Sequence, residues 1–211
     1  EGSSVLTTIG NEVFSGMTSL ESFTIPATVT SIGRSAFKGC TNLKKLTFAK
    51  GSQIKTLGNG CFAECGFDSI ALPDQIDSIG AEAFRSCTQL KTVHLSSTLR
   101  AINPTAFKWC TGITSYTVDE SNPYFSSTHG MLCDKAKTTL MLFPAGLAND
   151  EATVIPPSIT AIGDHAFYDC TNLTNAVIPQ KVTKIGARAF GLDNSLNSIT
   201  LLCDNVIAHE L

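Results

Sequence analysis

Charge is scarce in this chain of 211 residues, because Asp, Glu, Lys and Arg together supply only 16% of it. Its 15 basic and 18 acidic residues form no basic block and do not alternate with aromatic residues, which excludes the usual nucleic-acid-binding patterns. No apolar run of about 18 residues occurs, so no segment predicts a membrane-spanning helix. We therefore expect no nucleic-acid partner and no membrane insertion within this segment.

Signals of catalysis and of metal or cofactor binding are also missing. The four histidines occupy unrelated positions, and none stands in an arrangement typical of a nucleophile and its base. The Gly residues form no phosphate-binding loop, and no Cys-x-x-Cys pair indicates a zinc site. We therefore expect no enzyme activity, no metal and no cofactor. The histidines are His94, His129, His165 and His209.

One repeated pattern fills the chain. The string "IGRSAFKGCTNLKKLTFA", from Ile32, returns in near-copies of the template I-G-x-x-A-F-x-x-C-x-x-L-x-x-φ-x-φ, where φ is apolar. The copies start 23, 25, 22, 23, 60 and 23 residues apart. A unit of this size cannot bury its apolar side chains alone, so the repetition predicts one solenoid domain over 1–211, in which neighbouring coils cover each other. The copies begin at Ile9, Ile32, Leu57, Ile79, Ile102, Ile162 and Ile185.

Each copy predicts the same local structures. Its tail, such as "LKKLTF" at 43–48, ends in alternating apolar and polar residues, as a strand with one buried face does. One strand per coil implies a parallel sheet with strands about 4.8 Å apart. The start, such as "RSAFKGC" at 34–40, predicts a short helical turn on the other side. Buried positions include the strand residues Ile199 and Leu201 and a ladder of Phe14, Phe37, Phe62, Phe84, Phe107, Phe167 and Phe190.

The strings "IGRSAF", "IGAEAF" and "IGDHAF", each followed by C-x-x-L, resemble the leucine-rich repeats of the BspA-like, or Treponema-type, surface antigens. The resemblance covers almost the whole chain and is specific, because ordinary leucine-rich repeats lack the I-G…A-F start. It implies an α/β leucine-rich-repeat solenoid, or horseshoe, that is rich in β-structure. It also implies a cell-surface or secreted protein of a host-associated microbe, with adhesion to other cells or to host matrix proteins such as fibronectin and fibrinogen.

The interval of 60 residues contains an irregular segment at 119–153. Its two apolar runs, Met131–Cys133 and Thr139–Phe143, flank the polar Asp134–Lys137. This arrangement predicts a degenerate repeat with a β-hairpin. The hairpin is either a binding protrusion, because insertions in repeat arrays often lie on one face, or a structural variant of the turn. The chain also starts inside a repeat and ends without a polar cap, so we expect it to be a piece of a longer protein.

The eight cysteines predict a buried ladder of free thiols. Five occupy the same slot, three residues after the Phe, and Cys61 fills the small-residue slot before it. A chain with a sizeable core does not need a disulfide framework, and buried Cys behaves as a small hydrophobe. Oxidation between neighbouring coils remains an alternative where geometry allows it. The five are Cys40, Cys65, Cys87, Cys110 and Cys170, while Cys133 and Cys203 lie elsewhere.

The outward side chains of the strands are the candidate protein-binding face. They are small, rich in hydroxyl groups and almost uncharged, so they either form an extended recognition surface or simply suit an exposed strand. Trp109 and Tyr168 are candidate anchors on another side, or cover their neighbours. The candidate face consists of Ser22, Thr24, Lys45, Thr47, Ser69, Thr92, His94, Ser115, Thr117, Asn175, Ser198 and Thr200.

These observations predict a non-enzymatic protein-interaction module whose broad face binds a protein ligand. Two alternatives from other classes stay open at this point. The first is a structural spacer that carries another domain, and it predicts that the chain binds no partner. The second is a glycan-binding module, which the scarcity of aromatic residues disfavours, since the chain has one Trp and three Tyr.

Overall fold

The computed structural model describes residues 5–147, 153–202 and 207–208. Within these residues the chain forms short β-strands and no helix. The strands are β1 (Thr8–Ile9), β2 (Ser22–Ile25), β3 (Ser31–Ile32), β4 (Lys45–Phe48), β5 (Thr56–Leu57), β6 (Ser69–Ile70), β7 (Ser78–Ile79), β8 (Thr92–Leu95), β9 (Ala101–Ile102), β10 (Ser115–Val118), β11 (Phe125–Thr128), β12 (Met131–Asp134), β13 (Thr139–Leu142), β14 (Thr153–Val154), β15 (Ala161–Ile162), β16 (Asn175–Ile178), β17 (Lys184–Ile185), β18 (Ser198–Leu201) and β19 (Ile207–Ala208).

The strands confirm the predicted solenoid with parallel sheets. The short strands pair in the order β1-β3-β5-β7-β9, and each Ile-slot residue lies opposite the next, as Ile9 does with Ile32. A second set of strands, one from the tail of each copy, pairs separately as β2-β4, β6-β8-β10 and β14-β16-β18. We number the coils 1 to 8 by their Ile-slot residues, which are Ile9, Ile32, Leu57, Ile79, Ile102, Leu140, Ile162 and Ile185.

The Phe side chains stack as expected, in two runs. In the first run, ring centroids are 4.9 Å apart between Phe14 and Phe37 and 5.1 Å apart between Phe84 and Phe107. The second run begins with Phe143 of coil 6, whose ring lies 5.0 Å from that of Phe167. The ladder therefore contains a residue that the template did not identify, because coil 6 places its Phe three residues after its Ile-slot residue instead of five.

The segments predicted as short helical turns are successive tight turns, so this part of the fold prediction is wrong. The fourth and eighth residues of coil 2, Ser35 and Gly39, have φ of 53° and 76°, outside the helical region. The amide of Phe37 donates to the carbonyl of Cys61 in the next coil at 2.8 Å, and that of Gly39 donates to Ala63 at 2.9 Å. Because these amides bond between coils, they cannot make the bonds of a helix.

The Gly that follows the Ile is required by the close approach of neighbouring coils. A Cβ placed on Gly33 would lie 2.5 Å from Oδ1 and 2.7 Å from the amide nitrogen of Asn11 in the coil before. That Asn11 oxygen accepts a hydrogen bond from the amide of Arg34 at 2.8 Å. The "I-G" start of the template therefore lets the backbone of one coil contact the previous coil directly.

The cysteine slot is buried, and its thiol has a specific backbone partner. Cys40 Sγ donates to the carbonyl of Phe14 at 3.1 Å, and Cys87 Sγ donates to that of Phe62 at 3.1 Å. The seven cysteines among the described residues are free and buried, as predicted, and Cys203 lies outside these residues. Burial raises the pKa of Cys133 to about 11 and that of Cys65 further still. The slot thus stabilises the contact between successive coils.

The irregular segment at 119–153 contains the predicted antiparallel strands together with one more strand, β11. Strands β11, β12 and β13 form an antiparallel dividing sheet, which continues through β13 into the parallel strand β15. Its side chains face two hydrophobic clusters: Leu132 and Leu142 belong to one, and Cys133 and Leu140 belong to the other. Burial on both faces explains the continuous apolar runs of β12 and β13.

The last long strand, β18, departs from the predicted burial. Ile199 and Leu201 were expected to point inward, yet they are 41% and 52% exposed. Strand β18 is the edge of its sheet, and no described strand pairs with its outer side. Apolar strand residues are buried in the interior coils, as Val93 and Leu95 are, because a following coil covers them.

Candidate binding face

The twelve predicted face residues lie on seven strands, which pair in three separate sheets. Strands β2 and β4 place Ser22 opposite Lys45, while β6, β8 and β10 place Ser69, Thr92 and Ser115 in one row. Strands β16 and β18 form the third group, with Asn175 opposite Ser198 and Val177 opposite Thr200. The dividing sheet stands between the second and third groups. The structure therefore brings these residues together as three patches along the solenoid.

Hydrogen bonds between neighbouring coils connect the side chains of each patch. Thr24 Oγ1 lies 2.9 Å from Thr47 Oγ1, and His94 Nδ1 lies 3.1 Å from Thr117 Oγ1. Ser198 Oγ donates to Asn175 Oδ1 at 2.7 Å. A hydroxyl group has one donor and two acceptor sites, so these pairs keep acceptor capacity for a partner. Part of the hydrogen-bonding capacity of the face is therefore already used by bonds within the protein.

Two members of the face are half-buried. Ser115 lies against the tip of the turn between β11 and β12, where a Cβ on Gly130 would be 3.3 Å from Ser115 Oγ. The amide of Tyr116 donates to the carbonyl of Gly130 at 2.8 Å, so the tip continues the sheet beyond β10. Thr47 is half-buried beside Thr24. The remaining ten residues are exposed.

A polar hollow of about 400 Å³ adjoins the face where β10 meets the dividing sheet. Asp119, Glu120 and Ser127 line it together with Lys135 and Lys137. The Ser121 hydroxyl and amide hold the pKa of Asp119 below its usual value. Lys135 Nζ donates to the carbonyl of Glu120 at 2.9 Å. The sequence did not predict this hollow. The feature that could have indicated it is the irregular segment at 119–153, which supplies most of its lining.

Asn122 fixes the start of the dividing sheet and is fully buried. Its Nδ2 donates to the carbonyls of Ser96 and Leu99 at 2.7 and 3.0 Å. Its Oδ1 accepts from the amides of Tyr124 and Phe125 at 2.8 Å each. All four hydrogen bonds join the amide to backbone groups, so Asn122 connects the start of β11 to the segment between β8 and β9.

The two candidate aromatic anchors, Trp109 and Tyr168, lie together on the turn side of the solenoid, away from the face. Lys108 Nζ is 4.6 Å from the ring centroid of Trp109 and 4.7 Å from that of Tyr168. The guanidinium of Arg85 also lies over the Trp109 ring, 5.0 Å from its centroid. The anchors are 59 positions apart in the chain, so sequence alone did not place them in one cluster.

Residues 5–147, 153–202 and 207–208 contain no group of three His, Cys, Asp or Glu side chains arranged to hold a metal ion. Over the same residues, no helix has the length and apolar character required to cross a bilayer.

A family model described as the BspA-type leucine-rich repeat region matches six copies, at residues 7–134 and 147–208. The chain belongs to this family. The BspA-type repeats cover most of the coils described above, including the turn segments and the cysteine slot. A comparison with curated proteins found no match.

Solved structures of bacterial leucine-rich repeat proteins share this BspA-type fold. The pneumococcal vaccine antigen PcpA has a TM-score of 0.76 at 22% identity, over 96% of this chain and 63% of that one. A leucine-rich repeat protein from Eubacterium ventriosum has a TM-score of 0.78 at 23% identity, over 94% of this chain and 58% of that one. A leucine-rich cell surface protein from Faecalibacterium prausnitzii has a TM-score of 0.57 at 25% identity, over 92% and 64%. The chain therefore spans less than two thirds of each of these proteins.

Proposed function

We propose that the chain is a non-enzymatic protein-interaction module of a bacterial surface or secreted protein. Its three hydroxyl-rich patches bind partner proteins, and host matrix proteins such as fibronectin and fibrinogen are the first candidates. Membership of the BspA-type repeat family supports a protein-binding role. The name of the Faecalibacterium structure, a cell surface protein, supports the location.

The observation that carries the proposal is the exposed row on β6, β8 and β10. Thr92, His94 and Thr117 point outward from strands whose other residues, such as Val93 and Leu95, are buried. The backbone below them is fixed by parallel pairing on both sides of β8. A rigid row loses little conformational entropy when a partner binds. Weak contacts along such a row gain strength when many copies stand on one surface.

The test measures binding of the purified chain to immobilised fibronectin and fibrinogen. We expect saturable binding to at least one of them. The double variant His94→Glu with Thr117→Glu adds bulk and charge to the row, and should reduce that binding at least about tenfold, the effect of 1.4 kcal/mol. The control, Glu12→Ala with Arg34→Ala, removes an exposed ion pair of 3.1 Å on the turn side and should bind as the wild type does.

The melting temperatures of both variants are measured as well. If they equal that of the wild type, the fold is intact, and a loss of binding then reflects lost contacts with the partner and not unfolding. Equal binding by the wild type and the His94/Thr117 variant would refute a role for this row. Binding to neither matrix protein would refute the host-matrix proposal.

The second candidate function, a structural spacer, is favoured by one observation. Thr24 is hydrogen-bonded to Thr47, and His94 to Thr117, so part of the hydrogen-bonding capacity of the face is used without a partner. A spacer predicts no saturable binding in the same assay. A glycan-binding function has less support, since Trp109 and Tyr168 lie away from this face and close to Lys108.

A further inference from the structure

The shortened coil 6 leaves backbone donors of coil 5 without partners. In coil 4, the amides of Phe84 and Ser86 donate to the carbonyls of Ala106 and Lys108 at 2.9 and 2.8 Å. The corresponding amides of coil 5, those of Phe107 and Trp109, donate to no residue in the described ranges. The equivalent amides of the other coils donate to the next coil, so these two are directed at the place where the ladder is interrupted between coils 5 and 6, which we call the break.

A cavity of about 20 Å³ lies at this break. This volume is large enough for a water-sized group. Phe107 and Phe143 form its apolar part, and Lys108, His165 and Tyr168 supply polar atoms. His165 Nδ1 is buried without a hydrogen-bond partner among the described residues. None of the residues lining the cavity is acidic. The lining therefore offers donors and no carboxylate, and the carboxylates that act on lining residues are Asp164, on His165, and Asp169, on Cys110.

Lys108 differs from the neighbouring basic residues in its ion pairing. On the same side of the solenoid, Arg85 reaches Glu64 at 2.8 Å, and Lys38 lies 4.0 Å from the same carboxylate. Within the described part of the chain, Lys108 has no ion-pair partner, and its ammonium group lies between Trp109 and Tyr168. Both rings are half-buried; Tyr168 lines the cavity, and Trp109, the other ring next to Lys108 Nζ, lies beside it.

We propose that this break is a second binding site, which takes a carboxylate side chain from an acidic segment of a partner protein. One carboxylate oxygen accepts from Lys108 Nζ, and the other accepts from the unpaired amides of coil 5. The rings of Trp109 and Tyr168 pack against the aliphatic part of the inserted Glu or Asp. A carboxylate accepts hydrogen bonds without donating any, so it matches a site made of donors. The site lies on the turn side and does not depend on the proposed face.

Trp109 offers a direct measurement, because it is the single Trp of the chain. The probe is a soluble peptide of alternating Glu and Gly, and the matched peptide carries Gln in place of Glu. We expect the glutamate peptide to change Trp109 emission in a saturable way, while the glutamine peptide leaves it unchanged. Equal responses to the two peptides, or no response to either at low-millimolar concentration, would overturn the proposal.

Two variants assign the effect to Lys108. Lys108→Met keeps most of the aliphatic chain, and the midpoint of the titration should rise about tenfold or more, as for a lost hydrogen bond to a charged group. Lys38→Met is the control, because Lys38 lies on the same side and already faces Glu64. Equal midpoints for these two variants would refute the assignment. The His94/Thr117 variant should bind the glutamate peptide normally, which keeps this test separate from that of the face.

Discussion

Phe84 is the residue whose replacement tests the stacked core most directly. It is fully buried, with ring centroids 5.7 Å from Phe62 and 5.1 Å from Phe107, and it meets Phe67 edge-on at 6.2 Å. Phe84→Ala should destabilise the chain by about 3–5 kcal/mol, the range for a large core aromatic. The three aromatic contacts place the expected loss in the upper half of that range, since each such pair contributes about 0.5–1.5 kcal/mol beyond burial.

Urea unfolding followed by circular dichroism measures this loss. Phe14→Ala is the matched control, because Phe14 occupies the same slot in coil 1 but is only half-buried there. We expect it to cost about 1–2 kcal/mol, since less apolar surface leaves the core. A loss below about 1 kcal/mol for Phe84→Ala, or equal losses for the two variants, would contradict a core made of stacked coils.

Three further predictions concern other parts of the molecule. Replacing Thr92 and His94 together by Ala should leave the melting temperature nearly unchanged, because both side chains are exposed, and a sharp fall would contradict their placement. Asn122→Ala leaves backbone groups unpaired in the core and should cost about 2–4 kcal/mol in urea unfolding, whereas a loss under about 0.5 kcal/mol would refute its role. Burial raises the pKa of Asp193 to about 6, so ionisation destabilises the fold as pH rises from 4 towards 7. Wild type should therefore lose stability relative to Asp193→Asn between pH 5 and pH 7.5, and a pH-independent difference in urea midpoints would contradict this.

Periodicity accounts for the parts of the fold that the sequence predicted. Repetition places like side chains above one another, so the Phe ladder and the parallel strand of each coil follow from spacing alone. The turn segments were misassigned because their amides bond to the next coil, and a single repeat does not show this. The exposure of Ile199 and Leu201 depends on what covers β18, and the template assigns every copy the same environment.

The candidate sites were less predictable. Strand alternation identified the outward positions, but their division into three patches depends on which strands pair. The cluster of Lys108, Trp109 and Tyr168 joins coils 5 and 7 across coil 6, which is two residues shorter than the template between its Ile and Phe slots. The sequence does not show this shortening. It becomes evident in the structure, where the ring of Phe143 stacks on that of Phe167. A local departure from the repeat, rather than the repeat itself, creates this site.

The dividing sheet has a mechanical consequence for a chain under tension. The buried apolar side chains form two separate clusters, and strands β12 and β13 contribute side chains to both of them. Contacts in repeat arrays are made with nearest neighbours, so cooperative unfolding weakens wherever neighbouring coils interact less. Force applied to the two ends should therefore extend the molecule in two steps, each releasing one cluster, and either half can absorb load while the other stays folded.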